Sequence, residues 1–109
     1  MNWIDLVSVE QVEKIKEASF ESSQLIFKHS TRCSISVMAK SRLDRSEQPV
    51  NTTFHYLDLL NYRPVSNFIA DYFHVHHESP QVLLIKNGEC IYEETHNAIA
   101  MDDIIAHLQ

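Results

Sequence analysis

In the stretch "IFKHSTRCSISVMAK", residues 26 to 40, a single cysteine separates a strand-like run from a helix-like run. A cysteine so placed can act as a thiolate nucleophile, the form that attacks disulfides and binds metals. Three residues on, where redox proteins often keep a second cysteine, this chain has Ser36. A serine cannot close an internal disulfide, so a mixed disulfide on Cys33 has no local resolving thiol. The chemistry expected is monothiol, with release by an outside thiol. The competing reading is an ordinary buried thiol packed as a small hydrophobe. The polar neighbours Thr31, Ser34 and Ser36 argue against an apolar pocket there.

The other cysteine, Cys90, follows the tight-turn pair Asn87-Gly88 and should lie across from Ile85. Ile85 is five residues past Pro80, roughly 17 Å at strand rise, whereas a disulfide needs Cα atoms within about 7 Å. Cys90 is therefore read as a packing residue at the far end of the sheet. The histidines of "HVHHE", residues 74 to 78, recur at i, i+2 and i+3. No cysteine or carboxylate cluster completes a metal set there, so no metal ligand is assigned. His77 adjoins Ser79-Pro80 and is a candidate neighbour of the sulfur.

The elements that position these residues follow from local pattern. Ser8 and Gln11 fit a capping box, with Val7 and Val12 as the expected hydrophobic staple. Val9, Val12, Ile15 and Ala18 carry a helical stripe to about residue 19. "QLIFKH", 24–29, is short and apolar, as for a strand buried on both faces. Ile35, Met38, Ala39 and Leu43 predict a second helix. "TTFHYLDLL", 52–60, reads as a strand from its aromatic and β-branched residues. Val65, Phe68, Ile69, Tyr72 and Phe73 predict a third helix opened by Pro64. "QVLLI" and "ECIYEETH" flank Asn87-Gly88 as a hairpin. Asn97 is the expected cap of a last helix bearing Ala98, Met101, Ile105 and Leu108.

The order α-β-α-β-α-β-β-α makes the early strands parallel through right-handed crossovers and the last two antiparallel. A single α/β domain over residues 1–109 follows, with a mixed four-stranded sheet covered by helices on both faces, the thioredoxin-like layout. Cys33 then stands where a central strand enters a helix. Unpaired N–H groups and the positive end of the helix dipole there favour thiolate over thiol. A proline before the antiparallel strand, Pro80, is where this layout carries a cis peptide facing the cysteine. The backbone of Ser79 is then open to pair with an extended substrate. The Ser36 hydroxyl is expected to donate a hydrogen bond to the Cys33 sulfur.

The 109 residues suit one core. The formal charge of -6 argues against nucleic acid and against anionic membrane surfaces as partners. No apolar run nears a membrane span, and no signal-peptide pattern opens the chain. Two cysteines 57 positions apart do not make a disulfide scaffold, so a reducing cytoplasm is the expected location. "KSRLDRSEQ", 40–48, reads as a solvated face.

The segments "HSTRCSIS" (29–36), "RPVSNFIA" (63–70) and "HESPQVLLIKNG" (77–88) resemble the monothiol bacilliredoxin family, over nearly the whole chain. The resemblance implies a thioredoxin-fold thiol-disulfide oxidoreductase that removes bacillithiol from S-bacillithiolated client proteins. Cys33 and Ser36 would be its catalytic pair, and Thr31, Arg32, Ser34, Ser79 and Pro80 would meet the substrate. Bacillithiol would be the co-substrate, no cofactor would be bound, and the protein would act as a monomer or weak dimer. Family members commonly carry proline directly after the cysteine, where this chain has Ser34. Arg32, Lys28 and Arg63 are the basic residues best placed in sequence to meet the two carboxylates of the malate unit of bacillithiol, with a plain solvated surface charge as the competing reading for each, the favoured one for Lys28 and Arg63. Two other functions fit the same residues: a glutaredoxin-like iron–sulfur cluster module, and a redox-inactive thioredoxin-fold adaptor.

Overall fold

A computed structural model describes residues 1–108. Its strands are β1 (Trp3–Asp5), β2 (Ser23–His29), β3 (Thr52–Asp58), β4 (Gln81–Lys86) and β5 (Glu89–Thr95). The helices are α1 (Val9–Ala18), α2 (Ser34–Asp44), α3 (Arg63–Phe73) and α4 (Met101–Ala106). A short 3-10 turn, His96–Ala98, precedes α4. The strands lie in the order β1-β3-β2-β4-β5. β2 runs parallel to β3 and antiparallel to β4, and β4 pairs antiparallel with β5.

The expected four-stranded sheet is corrected to five. The added strand, β1, pairs parallel with the outer edge of β3 through Trp3, Ile4 and Asp5. Three mostly exposed residues carry too little alternation to register as a strand, and tertiary packing supplies what the pattern lacks. Trp3 anchors it, with ring centroids 5.6 Å from Phe27 and Phe54 and 6.3 Å from Tyr56. Its Nε1 donates to Asp44 Oδ1 at 2.6 Å, joining the edge strand to the end of α2.

α1 begins at Ser8, whose Oγ accepts the Gln11 N–H at 3.2 Å. The Gln11 side chain reaches one residue further back than in a standard box, accepting from the Val7 N–H at 2.8 Å. The staple residue is Leu6, fully buried in one core with Val12, whereas Val7 is 43 % exposed. On α2 the inward face is Ser36, Ala39 and Leu43, while Met38 points to solvent. α4 starts after Ala100, and Asn97 belongs to the 3-10 turn instead of capping the helix.

Two cores sandwich the sheet. Ile26, Leu57, Leu83 and Ile85 pack with Val12 and Ile15 of α1 and Val65 and Ile69 of α3. On the other face Leu25, Phe27, Phe54 and Val82 meet Ala39 and Leu43 of α2 and Ile104 of α4. Successive β2 side chains leave on opposite faces, so a strand buried on both sides must be apolar almost throughout. The hairpin turns through Asn87 (φ 53) and Gly88 (φ 80), the pair of left-handed residues a tight two-residue turn requires. Among the described residues no helix is long and apolar enough to cross a membrane.

Candidate thiol active site

Cys33 is the N-cap residue of α2, in extended conformation, with its carbonyl accepting the Val37 N–H at 3.0 Å. Its own N–H closes a turn onto the Ser30 carbonyl at 3.2 Å. The cysteine is half-buried, which excludes the reading of a thiol sealed in hydrocarbon. No side-chain hydrogen bond caps α2, and its first turn carries no acidic residue. The N–H groups of that turn therefore face the cap position without a competing carboxylate from the helix itself.

Ser36 lies one turn in and is fully buried. Its Oγ accepts the Ser30 N–H at 3.0 Å and sits 2.7 Å from His29 Nδ1. The hydroxyl expected at the Cys33 sulfur is instead spent on His29, and it makes no hydrogen bond to Cys33. The His29 ring is held below its usual pKa, first by burial and then by the Lys40 charge, while Asp58, Asp44 and the Ser36 backbone pull the other way. A neutral ring with Nδ1 as acceptor matches a Ser36 hydroxyl whose oxygen already accepts from Ser30. The ring packs between Phe27 and Tyr56, each with its centroid 5.5 Å away.

The Ser79–Pro80 peptide is cis. β2 and β4 pair with Lys28 opposite Gln81, so Pro80, one residue before β4, shares an end of the sheet with the segment leading to Cys33. Pro80 is buried and its carbonyl accepts the His96 N–H at 3.0 Å. Ser79 is half-buried, and its hydroxyl is sealed from solvent with no partner among the described residues. Gln81, fully buried, braces this loop. Its Nε2 donates to the His76 carbonyl and to Glu93, both at 3.0 Å, and its Oε1 accepts the Glu78 N–H at 3.4 Å.

The histidines of the 74–78 segment part company. His74 is the left-handed C-cap of α3, with φ 57. His76 lies 3.8 Å from Glu78 at the surface. His77 turns inward to Ser66 and Lys28. Among the described residues no group of three or more His, Cys, Asp or Glu side chains converges as a metal set.

Thr31, Arg32 and Ser34 are exposed around Cys33, and Arg63 is exposed at the start of α3. Lys28 is not available at the surface: it has no exposed area and donates to Ser66 and His77 beneath α3. A positive side chain inside a strand buried on both faces was the available signal for such a role, because full burial of lysine is rare without partners. His29 was missed for a different reason, since nothing local distinguishes it from a packed aromatic.

Cys90 pairs with Ile85, as the spacing predicts, four rungs of β4 from Gln81 and about 13 Å along the strand. It packs against the α1–α3 core, and its Sγ donates to the Tyr92 carbonyl at 3.3 Å. Burial pushes its thiol up to about 11. Cys90 is thus remote from Cys33 and chemically quiet at neutral pH.

The family model for the monothiol bacilliredoxin BrxC matches residues 4–104. Among solved structures, one described as a candidate oxidoreductase with a thioredoxin fold is 28% identical, with a TM-score of 0.86 over 98% of this chain and 94% of that one. Thioredoxin from Fasciola hepatica aligns at 13% identity and TM-score 0.75, over 96% of this chain and 98% of its own. Malassezia sympodialis thioredoxin aligns at 14% and 0.73, over 99% and 88%. The last two establish the fold alone. With a lone cysteine at the N-cap position of α2, a serine at the resolving position and a family match spanning the domain, the chain belongs to the monothiol bacilliredoxin family.

Proposed function

We propose that this protein is a monothiol thiol-disulfide oxidoreductase that strips bacillithiol, or a similar low-molecular-weight thiol, from mixed disulfides on client proteins. The observation that carries the reading is the half-buried Cys33 at the uncapped start of α2, with its only fellow thiol at the other end of the sheet. Family membership and the thioredoxin fold support the thiol oxidoreductase class.

In the first step the Cys33 thiolate attacks the bacillithiol sulfur of the mixed disulfide. The client sulfur leaves with the bonding electron pair and takes up a proton, and Cys33 carries bacillithiol as a new disulfide. A second bacillithiol thiolate then attacks the bacillithiol sulfur held on Cys33. Cys33 thiolate is released and bacillithiol disulfide departs, so the client sulfur is reduced and one free bacillithiol is oxidised. Negative charge shared over three sulfurs in each step is favoured by the donors at the start of α2.

In this scheme Ser36 acts through His29 and Ser30, keeping the 30–33 turn in place, and no resident cofactor is required. Thr31, Arg32 and Ser34 frame the sulfur, and Ser79 offers its backbone to the client. Arg32 and Arg63 remain exposed to receive the carboxylates of the small thiol, whereas Lys28 is withdrawn from that role. A reducing cytoplasm supplies the thiol donor, and a monomer or weak dimer suffices.

Incubation with an S-bacillithiolated protein and free bacillithiol tests this, with release followed by mass spectrometry. Cys33→Ala should abolish release and Cys90→Ala should leave most of it. Equal loss in both variants would overturn the monothiol scheme. Visible absorbance of anaerobically purified protein would favour a bridging cluster over the enzyme.

A further inference from the structure

Lys28 is a fully buried cation in the middle of the sheet. Among the described residues it has no salt-bridge partner; the ion pairs present are Lys40–Asp44 and His76–Glu78. Its Nζ instead donates to the Ser66 carbonyl of α3 and to His77 Nδ1, each at 3.2 Å. Ser66 Oγ lies 3.2 Å from the same Nδ1. An ammonium has only donors, so Nδ1 must accept, and the His77 ring proton stands on Nε2. Burial first, then the charges of Lys28 and Arg63, lower the His77 pKa from its usual value, with Glu78 pulling the other way. Burial also brings the Lys28 ammonium down to about 8, which leaves it mostly charged at neutral pH.

A leucine or methionine would fill this space without desolvating a charge. The ammonium is therefore better explained by what it joins. It reaches across 38 residues to α3 and across 49 to the segment that ends in the cis Ser79–Pro80 peptide.

We propose that Lys28 is a positioning residue for exchange at Cys33: it clamps the 77–80 loop to α3, fixes His77 as the Nε2–H tautomer, and thereby sets the Ser79 backbone to receive an extended peptide. The inference rests on Cys33 being the nucleophile. It concerns which disulfides Cys33 attacks well, and leaves the intrinsic reactivity of the sulfur to α2.

The test compares two disulfides that release the same coloured thiolate when Cys33 attacks. One is a peptide cysteine in mixed disulfide with thionitrobenzoate, which can pair along Ser79; here Cys33 attacks the peptide sulfur, because the low-pKa thionitrobenzoate is the better leaving group, and becomes disulfide-bonded to the peptide. The other is the symmetric dithiobis-nitrobenzoate, which cannot pair there. In Lys28→Met the rate constant for the peptide should fall about tenfold while that for the symmetric disulfide changes less than about twofold, as expected when binding contacts and not the nucleophile are lost. His77→Phe should reproduce the loss. His77→Gln, which keeps an acceptor for Lys28, should restore most of it, and this pair carries the test if Lys28→Met does not fold. Ring nitrogen shifts in NMR should report His77 as the Nε2–H tautomer in the wild type and should show it taking up a proton at higher pH in Lys28→Met. An equal fall for both disulfides, no fall for either, or an Nδ1–H tautomer in the wild type would overturn the proposal. Thiolate release that persists in Cys33→Ser would instead overturn the reading of Cys33 on which it stands.

Discussion

His29 Nδ1 and Ser36 Oγ stand 2.7 Å apart, and the whole Ser30–Cys33 turn is slung between them. The serine at the resolving position is thus part of the frame that holds the cysteine, with its oxygen also taking the Ser30 N–H. Lys28, the residue before His29, leaves the sheet on the opposite face and ties down the cis-proline loop. Two consecutive residues of β2 anchor the two halves of the site.

Ser36→Ala removes the shared hydroxyl and leaves the Ser30 N–H and His29 Nδ1 without their partner in a buried position. The expected cost is about 1–3 kcal/mol of stability, the range for orphaned buried polar groups. Urea unfolding of the variant checks this. A loss below about 0.5 kcal/mol would mean that water replaces the hydroxyl at no cost.

The two thiols should separate cleanly in reactivity. Iodoacetamide at neutral pH should label Cys33 first, with Cys90 slower by at least about tenfold because burial pushes its thiol up to about 11. Peptide mapping by mass spectrometry after timed quenching reads the order directly. Simultaneous labelling in the folded protein would contradict the packing of Cys90.

His55 makes stability depend on pH. Its ring is buried against Gln24, with Nε2 2.8 Å from Oε1, and burial pulls its pKa down to about 4. The unfolded ring titrates near ~6.5, so below that value the unfolded chain binds the proton more readily. Stability contributed by the neutral ring is complete above pH ~6.5, falls as pH drops, and is gone near about 4. His29 and His77, also held below their usual values, add loss in the same direction. The His55 share is on the order of 2–3 kcal/mol. Urea midpoints measured from pH 7 to pH 4 should fall, and the slope should flatten in His55→Leu. An unchanged slope in that variant would assign the effect to other groups.

Apolar spacing in the chain determined most of the frame. The stripes through Val12–Ile15 and Val65–Ile69, the apolar run at 24–29 and the Asn87-Gly88 turn are local signals, and each fixes an element whatever lies around it. Their order alone forced parallel strands in the middle of the sheet and put Cys33 at a strand-to-helix junction, with Cys90 opposite Ile85.

What tertiary structure decided is everything that depends on where a polar side chain finds its partner. β1 exists because Trp3 packs on three rings from β2 and β3, not because three residues form a strand on their own. Ser36 could have faced the sulfur by spacing; burial of its hydroxyl beside His29 sent it elsewhere. Lys28 looked like a surface cation until α3 and the 74–80 segment closed over it. Hydrophobic periodicity is written along the chain, whereas a hydrogen bond between residues dozens of positions apart is satisfied only when the packed elements bring donor to acceptor.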